Sequence, residues 1–244
     1  MWGDRHQGEL KDAELLFRES VAITEKTLGR EHADLAIVLN NLAGLYCCMG
    51  KDKIQDADRA YLRCTRIMET TLGPCNLNLA TVLSNHATFY SEMHRPQDAL
   101  KQYTRCMDIR EKVLGENHAE VIATLHNITG LLSDERKFEQ AIPYQEKCVK
   151  AMRTAHKVDS PEYLEELIRL AELVKRRSVS EAMVKWQEIV DSRVEPYAKT
   201  ARNKLTDLLL ECDVKYTAEY KVNKTLFLPE LSASPSPIPS LENE

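Results

Sequence analysis

Apolar and small residues return along this chain at helical spacing, in blocks separated by polar gaps. One block runs Ala36, Leu39, Leu42, Ala43, Tyr46, and the next runs Ala57, Tyr61, Cys64, Ile67. Positions three, four and seven apart share one face of a helix, so each block predicts an amphipathic helix. Gly50 follows the first block and Gly29 the one before it, where a residue of positive φ ends a helix. The pattern then repeats. Gly29, Gly73 and Gly115 fall in line, as do Leu39, Leu83 and Leu125, Asn41, Asn85 and Asn127, and Tyr46, Tyr90 and Leu132. The intervals are roughly 44 and 42 residues, and the extra pair falls in the turn MGKDKIQDA, where loop lengthening costs little. Two helices cannot bury their apolar faces alone, so the repeat predicts a solenoid whose core comes from stacking.

The frame Leu42, Ala43, Tyr46, Gly50, Ala57, Tyr61 resembles the tetratricopeptide (TPR) pattern. The longer form with EKxLGxxH and LNNLAxLY is similar to kinesin light chains, and the likeness covers about Ala13 to Cys148. The resemblance implies an all-α, right-handed TPR superhelix of antiparallel helix pairs. It also implies a non-enzymatic adaptor that holds partner peptides, with cargo contact by Asn41, Asn85 and Asn127. The light chains carry an upstream heptad coiled coil that grips the motor heavy chain. No such heptad run is present here, so a link to a kinesin motor rests on resemblance only.

Domain boundaries follow from the pattern. Residues 1–30 read as the second helix of a truncated unit, 31–156 as full units, 157–228 as a degenerate unit with capping helices, and 229–244 as a disordered Ser/Pro-rich tail. The half-unit at the start predicts that Met1 is an internal or alternative start, or that a partner covers the open face carrying Leu15, Leu16 and Val21. In the degenerate unit Ser160 reads as an N-cap with Pro161 in the first helical position, and Ala182 and Trp186 take the Ala and Tyr places. Arg169 stands where the earlier units have Asn. A capping helix is expected over about Glu195 to Tyr220.

Composition narrows the function. With 38 acidic and 33 basic residues the net charge is −5, and no basic stripe offers a nucleic-acid footprint. No window is long and apolar enough for a membrane span, and the charged opening MWGDRHQGELKDAEL lacks a signal core, which predicts no membrane insertion and a cytoplasmic location. Cys64, Cys106 and Cys148 recur every 42 residues, the spacing of a packing position rather than of ligands around one metal ion. His32 and His118, with Asn76 between them, read as helix-entry residues, and His86 replaces Leu42 as a hydrogen-bonded core residue. No catalytic triad, phosphate loop or HExxH occurs, so the chain is expected to be no enzyme and to need no metal or cofactor.

The positions that bear on function are on the first helix of each unit. Asn40, Asn41 and Gly44, then Ser84, Asn85 and Thr88, then His126, Asn127 and Gly130 are predicted to line an inner, concave surface. An Asn amide both donates and accepts, so a ladder of them pairs with the main chain of an extended peptide, and glycine leaves room for close approach. Protein partners with extended segments follow as the expectation. The competing expectation is an assembly factor that docks through the N-terminal half-repeat. Ser234 and Ser236, each followed by Pro, are candidate phosphorylation sites in the tail.

Overall fold

The computed structural model describes residues 2–155 and 158–211. It contains ten α-helices and no strand among the described residues: α1 (Trp2–Leu28), α2 (Ala33–Met49), α3 (Ile54–Leu72), α4 (Leu77–Glu92), α5 (Pro96–Leu114), α6 (Ala119–Asp134), α7 (Phe138–Ala155), α8 (Pro161–Lys175), α9 (Val179–Asp191) and α10 (Tyr197–Glu211). Helices α2/α3, α4/α5, α6/α7 and α8/α9 pack as hairpins, and each hairpin stacks on the next. Helix α1 packs on α2, and α10 packs on α9. The rest of the predicted capping helix, Cys212 and the Ser/Pro tail with Ser234 and Ser236 lie outside the described residues.

Local chemistry punctuates the helices where the repeat predicts. His32, Asn76 and His118 are N-caps of α2, α4 and α6, each side chain accepting a hydrogen bond from the backbone N–H two residues on, at 3.2, 2.8 and 3.2 Å. This satisfies an N–H that the first helical turn leaves without a partner. Ser160 caps α8 by accepting from the Tyr163 N–H three residues on, at 3.3 Å, with Pro161 at the first helical position. Gly73 and Gly115 close α3 and α5 at φ of 84° and 87°, a region that side-chain-bearing residues avoid.

The core is a set of columns, each filled by one residue per unit. Ala57, Ala99, Ala141 and Ala182 are fully buried, one on the second helix of each hairpin. Cys64, Cys106 and Cys148 form a second buried column. All three are free thiols; Cys64 donates to the Ala36 carbonyl at 3.0 Å, and burial pushes the Cys64 and Cys148 thiols up to about 12. A third column holds Tyr61, Tyr103, Gln145 and Trp186, all buried.

Two columns change chemistry. Where the next unit has Ile128 and Leu100 at the matching positions, the first interface sets His86 against Asp58, with Nε2 to Oδ1 at 2.9 Å. His86 is stacked on Tyr61 and lies beside Tyr90, whose hydroxyl donates to the same Asp58 at 2.8 Å. Burial lowers the His86 pKa, and the Asp58 hydrogen bond only partly opposes it. At the third interface Gln145 replaces the aromatic, and its amide donates to Glu166 of α8 at 2.7 Å.

The second helix of each hairpin, with α1, carries an ion-pair ladder in the same period: Arg63 with Glu25, Arg105 with Glu69, and Lys147 with Glu111. The two-residue insertion after α2 is a 3₁₀ turn, Lys51–Lys53, and it is not a slack loop. Lys53 reaches Glu14 of α1 at 2.6 Å, and Glu14 also pairs with Arg18 at 2.8 Å. Helix α1 turns Glu14, Phe17 and Val21 toward α2, at the i, i+3, i+7 spacing of one face. Val21 therefore does not belong to the open face, contrary to expectation; Leu15, Leu16 and Ile23 do.

Candidate functional site

Between the first two full units, α2, α3 and α4 enclose an open pocket of about 420 Å³. Of the nine residues expected on the inner surface, Asn40, Asn41, Gly44, Asn85 and Thr88 line it. They do so because 40/41, 44 and 47 on α2, and 85, 88 and 92 on α4, follow the three-to-four spacing of one helical face. Asn85 Nδ2 donates to Asn40 Oδ1 at 3.1 Å, tying neighbouring units together across the pocket. The Asn41 amide is exposed and makes no hydrogen bond to another described residue. Thr88 is held in place by the Ser84 carbonyl at 3.1 Å and the Tyr103 hydroxyl at 2.8 Å. Ser84 itself is half-buried and contributes that carbonyl rather than pocket surface.

Four lining residues were not singled out in the sequence: Cys47, Tyr61, Phe89 and Glu92. Continuing the Asn85, Thr88 spacing by four would have reached Glu92, and Tyr61 was recognised only as a packing residue. Burial pushes the Cys47 thiol and the Tyr61 phenol up, and the Glu92 carboxylate acts in the same direction on both. The pocket thus sets free amide capacity and one anionic group beside the largely covered rings of Tyr61 and Phe89.

The third trio behaves differently. His126, Asn127 and Gly130 occupy the matching positions on α6 but are not among the residues enclosing this pocket. His126 lies 3.1 Å from Glu166 Oε1 through Nδ1, and Arg169 Nη1 reaches the same ring at 2.8 Å. Arg169, at the place of the earlier asparagines, therefore draws His126 into the interface with α8. Glu166 is buried; burial alone would raise its pKa, but hydrogen bonds from His126 and Gln145 and the Arg169 charge outweigh it and hold the carboxyl below its ordinary value. Among the described residues no group of three or more His, Cys, Asp or Glu side chains converges to hold a metal ion. No helix among them is long and apolar enough to cross a membrane.

The tetratricopeptide repeat profile matches residues 4–73 and 78–154, so the chain belongs to the tetratricopeptide repeat family. Its stacked hairpins form the TPR α-solenoid, and kinesin-light-chain repeats are among the structures it resembles. Among solved structures, nearly identical TPR-like repeats of a kinesin light chain candidate from Podosopora anserina superpose with a TM-score of 0.64 at 21% identity, over 78% of this chain and 90% of that one. BtubC (BKLC) from P. vanneervenii gives 0.60 at 17%, over 98% and 82%. YrrB, a TPR protein with an unusual peptide-binding site, gives 0.52 at 12%, over 88% and 93%. A search of curated proteins finds no significant relative. The TPR fold supports a protein-interaction role in general.

Proposed function

We propose that this protein is a non-enzymatic, kinesin-light-chain-like adaptor of the cytoplasm that holds an extended segment of a protein partner along its inner groove. The observation that carries this reading is the pocket between α2, α3 and α4, where the Asn41 amide faces solvent without a partner beside Asn85. An amide that donates and accepts at a fixed position can pair with the backbone of a bound peptide, as donors and acceptors do along a sheet edge. Asn127 and Gly130 extend the same row by one unit, and Asn40, Gly44 and Thr88 shape the first two.

The test is a pull-down from cell extract with the wild type and an Asn41→Ala, Asn85→Ala, Asn127→Ala variant of equal helicity by circular dichroism. Loss of partners from the variant alone is the expected result, and an unchanged partner list refutes the groove. The second reading, an assembly factor docking through α1, is favoured by Leu15 and Leu16, which are 65% and 67% exposed. It predicts that Leu15→Ser with Leu16→Ser removes the partners that the asparagine variant retains.

A further inference from the structure

Charge is sorted between the two layers of the stack. The inner helices α2, α4 and α6 contain no lysine or arginine, whereas α3, α5 and α7 each carry at least three. Cations of those outer helices are engaged along the outer surface, in the ladder from Arg63 to Lys147. Arg95, in the turn after α4, lies over the Tyr90 ring and is bonded to Asp98 at 2.8 Å. Arg169, one of two cations on the next first helix, α8, is engaged by His126 and lies 3.9 Å from Glu166.

Glu92 lines the pocket, is exposed, and forms no ion pair with another described residue. Asp134 ends α6 at the matching place 42 residues on, and it too is exposed and without an ion pair among the described residues. The inner surface therefore offers carboxylates one repeat apart and no free cation beside them on α2, α4 or α6. The pocket volume lies within the range of small-ligand sites, and with the largely covered rings of Tyr61 and Phe89 among amides and Gly44 in its lining it has room for one apolar side chain.

Resting on the groove reading above, we infer that the partner segment is basic: a peptide with an apolar anchor residue for the pocket between α2, α3 and α4, flanked by Lys or Arg that pairs with Glu92 and Asp134. An acidic segment would bring like charges together at Glu92 and Asp134, which costs affinity and selects against it. Two exposed carboxylate contacts correspond to a preference of about threefold to tenfold over a neutral peptide, weakened by salt.

The experiment is selection from a randomised nonapeptide library, with the full chain immobilised at low salt. Three proteins are compared: the wild type, the Asn41→Ala, Asn85→Ala, Asn127→Ala variant, and a Glu92→Gln, Asp134→Asn variant, all matched for helicity. The wild type is expected to enrich Lys/Arg-containing peptides with one large apolar residue. The carboxamide variant is expected to keep binding and lose the charge preference, while the asparagine variant binds none. Wild-type enrichment that is acidic or charge-indifferent, yet absent from the asparagine variant, overturns the inference and leaves the groove reading standing. Charge preference that persists in the carboxamide variant overturns the assignment to Glu92 and Asp134. Equal enrichment by wild type and asparagine variant overturns both readings.

Discussion

Replacing Glu166 should loosen the stack at one interface and nowhere else. Its Oε2 accepts from the fully buried Gln145 amide at 2.7 Å, and its Oε1 faces His126 Nδ1 at 3.1 Å. Hydrogen bonds to a charged group contribute about 1.5–3 kcal/mol each, offset by the cost of keeping the carboxylate from water. Glu166→Gln preserves size and one acceptor but removes the charge, so a loss of about 1–2 kcal/mol is expected. Glu166→Ala also leaves the Gln145 amide short of an acceptor, and about 2–4 kcal/mol follows. In a stack whose units touch only their neighbours, the loss should be local. Hydrogen exchange followed by mass spectrometry should show faster exchange in α8 to α10, with α2 to α5 unchanged, alongside a lower urea midpoint. The Glu166 carboxyl sits below its ordinary value of 4.5 in the folded state, so its contribution is full above that pH and is lost as pH falls through the folded value. A uniform rise in exchange, or an alanine variant within about 0.5 kcal/mol of wild type, would refute this account of the interface.

His86 supplies the opposite ionisation. Its folded pKa lies below 6.5, so the unfolded chain takes up the proton first and stability falls as pH drops below 6.5. His86→Leu, the residue its column has at position 42, should flatten the fall in melting temperature between pH 6.5 and 5, and equal slopes in the two proteins would contradict it. Alkylation at pH 8 with mass-spectrometric readout should label the exposed Cys48 and Cys75 quickly and leave Cys64, Cys106 and Cys148 unmodified until unfolding. Comparable rates at Cys64 or Cys148 would mean that the column is not closed.

Period and punctuation carried most of the fold into view before any coordinates. Residues such as Leu39, Leu83 and Leu125 recur because every unit buries the same face, and His32, Asn76 and His118 recur because every first helix needs the same cap. The pocket was only half legible. Asn41 and Asn85 stand out as repeated polar residues on apolar helices, whereas Tyr61 and Phe89 look like any core aromatic until α3 and α4 are placed against α2. The diversion of His126 was hidden for a related reason: Glu166 lies on the next unit, and the sign of a polar interface was Gln145 standing in a column of aromatics. Val21 reads as open-face from its apolar character alone, and only the packing of α1 on α2 shows that Phe17 and Val21 face inward.

The small 3₁₀ turn that breaks the period between α2 and α3 also bears on how the array comes apart under load. Lys53 bridges from it to Glu14, where Arg18 converges, and Arg18 in turn donates to the Tyr46 hydroxyl at 3.2 Å. A pull on α1 must therefore shear a charged latch anchored in the following hairpin before α1 can peel away. Because that latch is ionic and partly wet, salt should lower the rupture force of α1 while leaving the later, thiol-packed hairpins nearly indifferent to it. An insertion that looks like a lapse in the repeat is then its clasp.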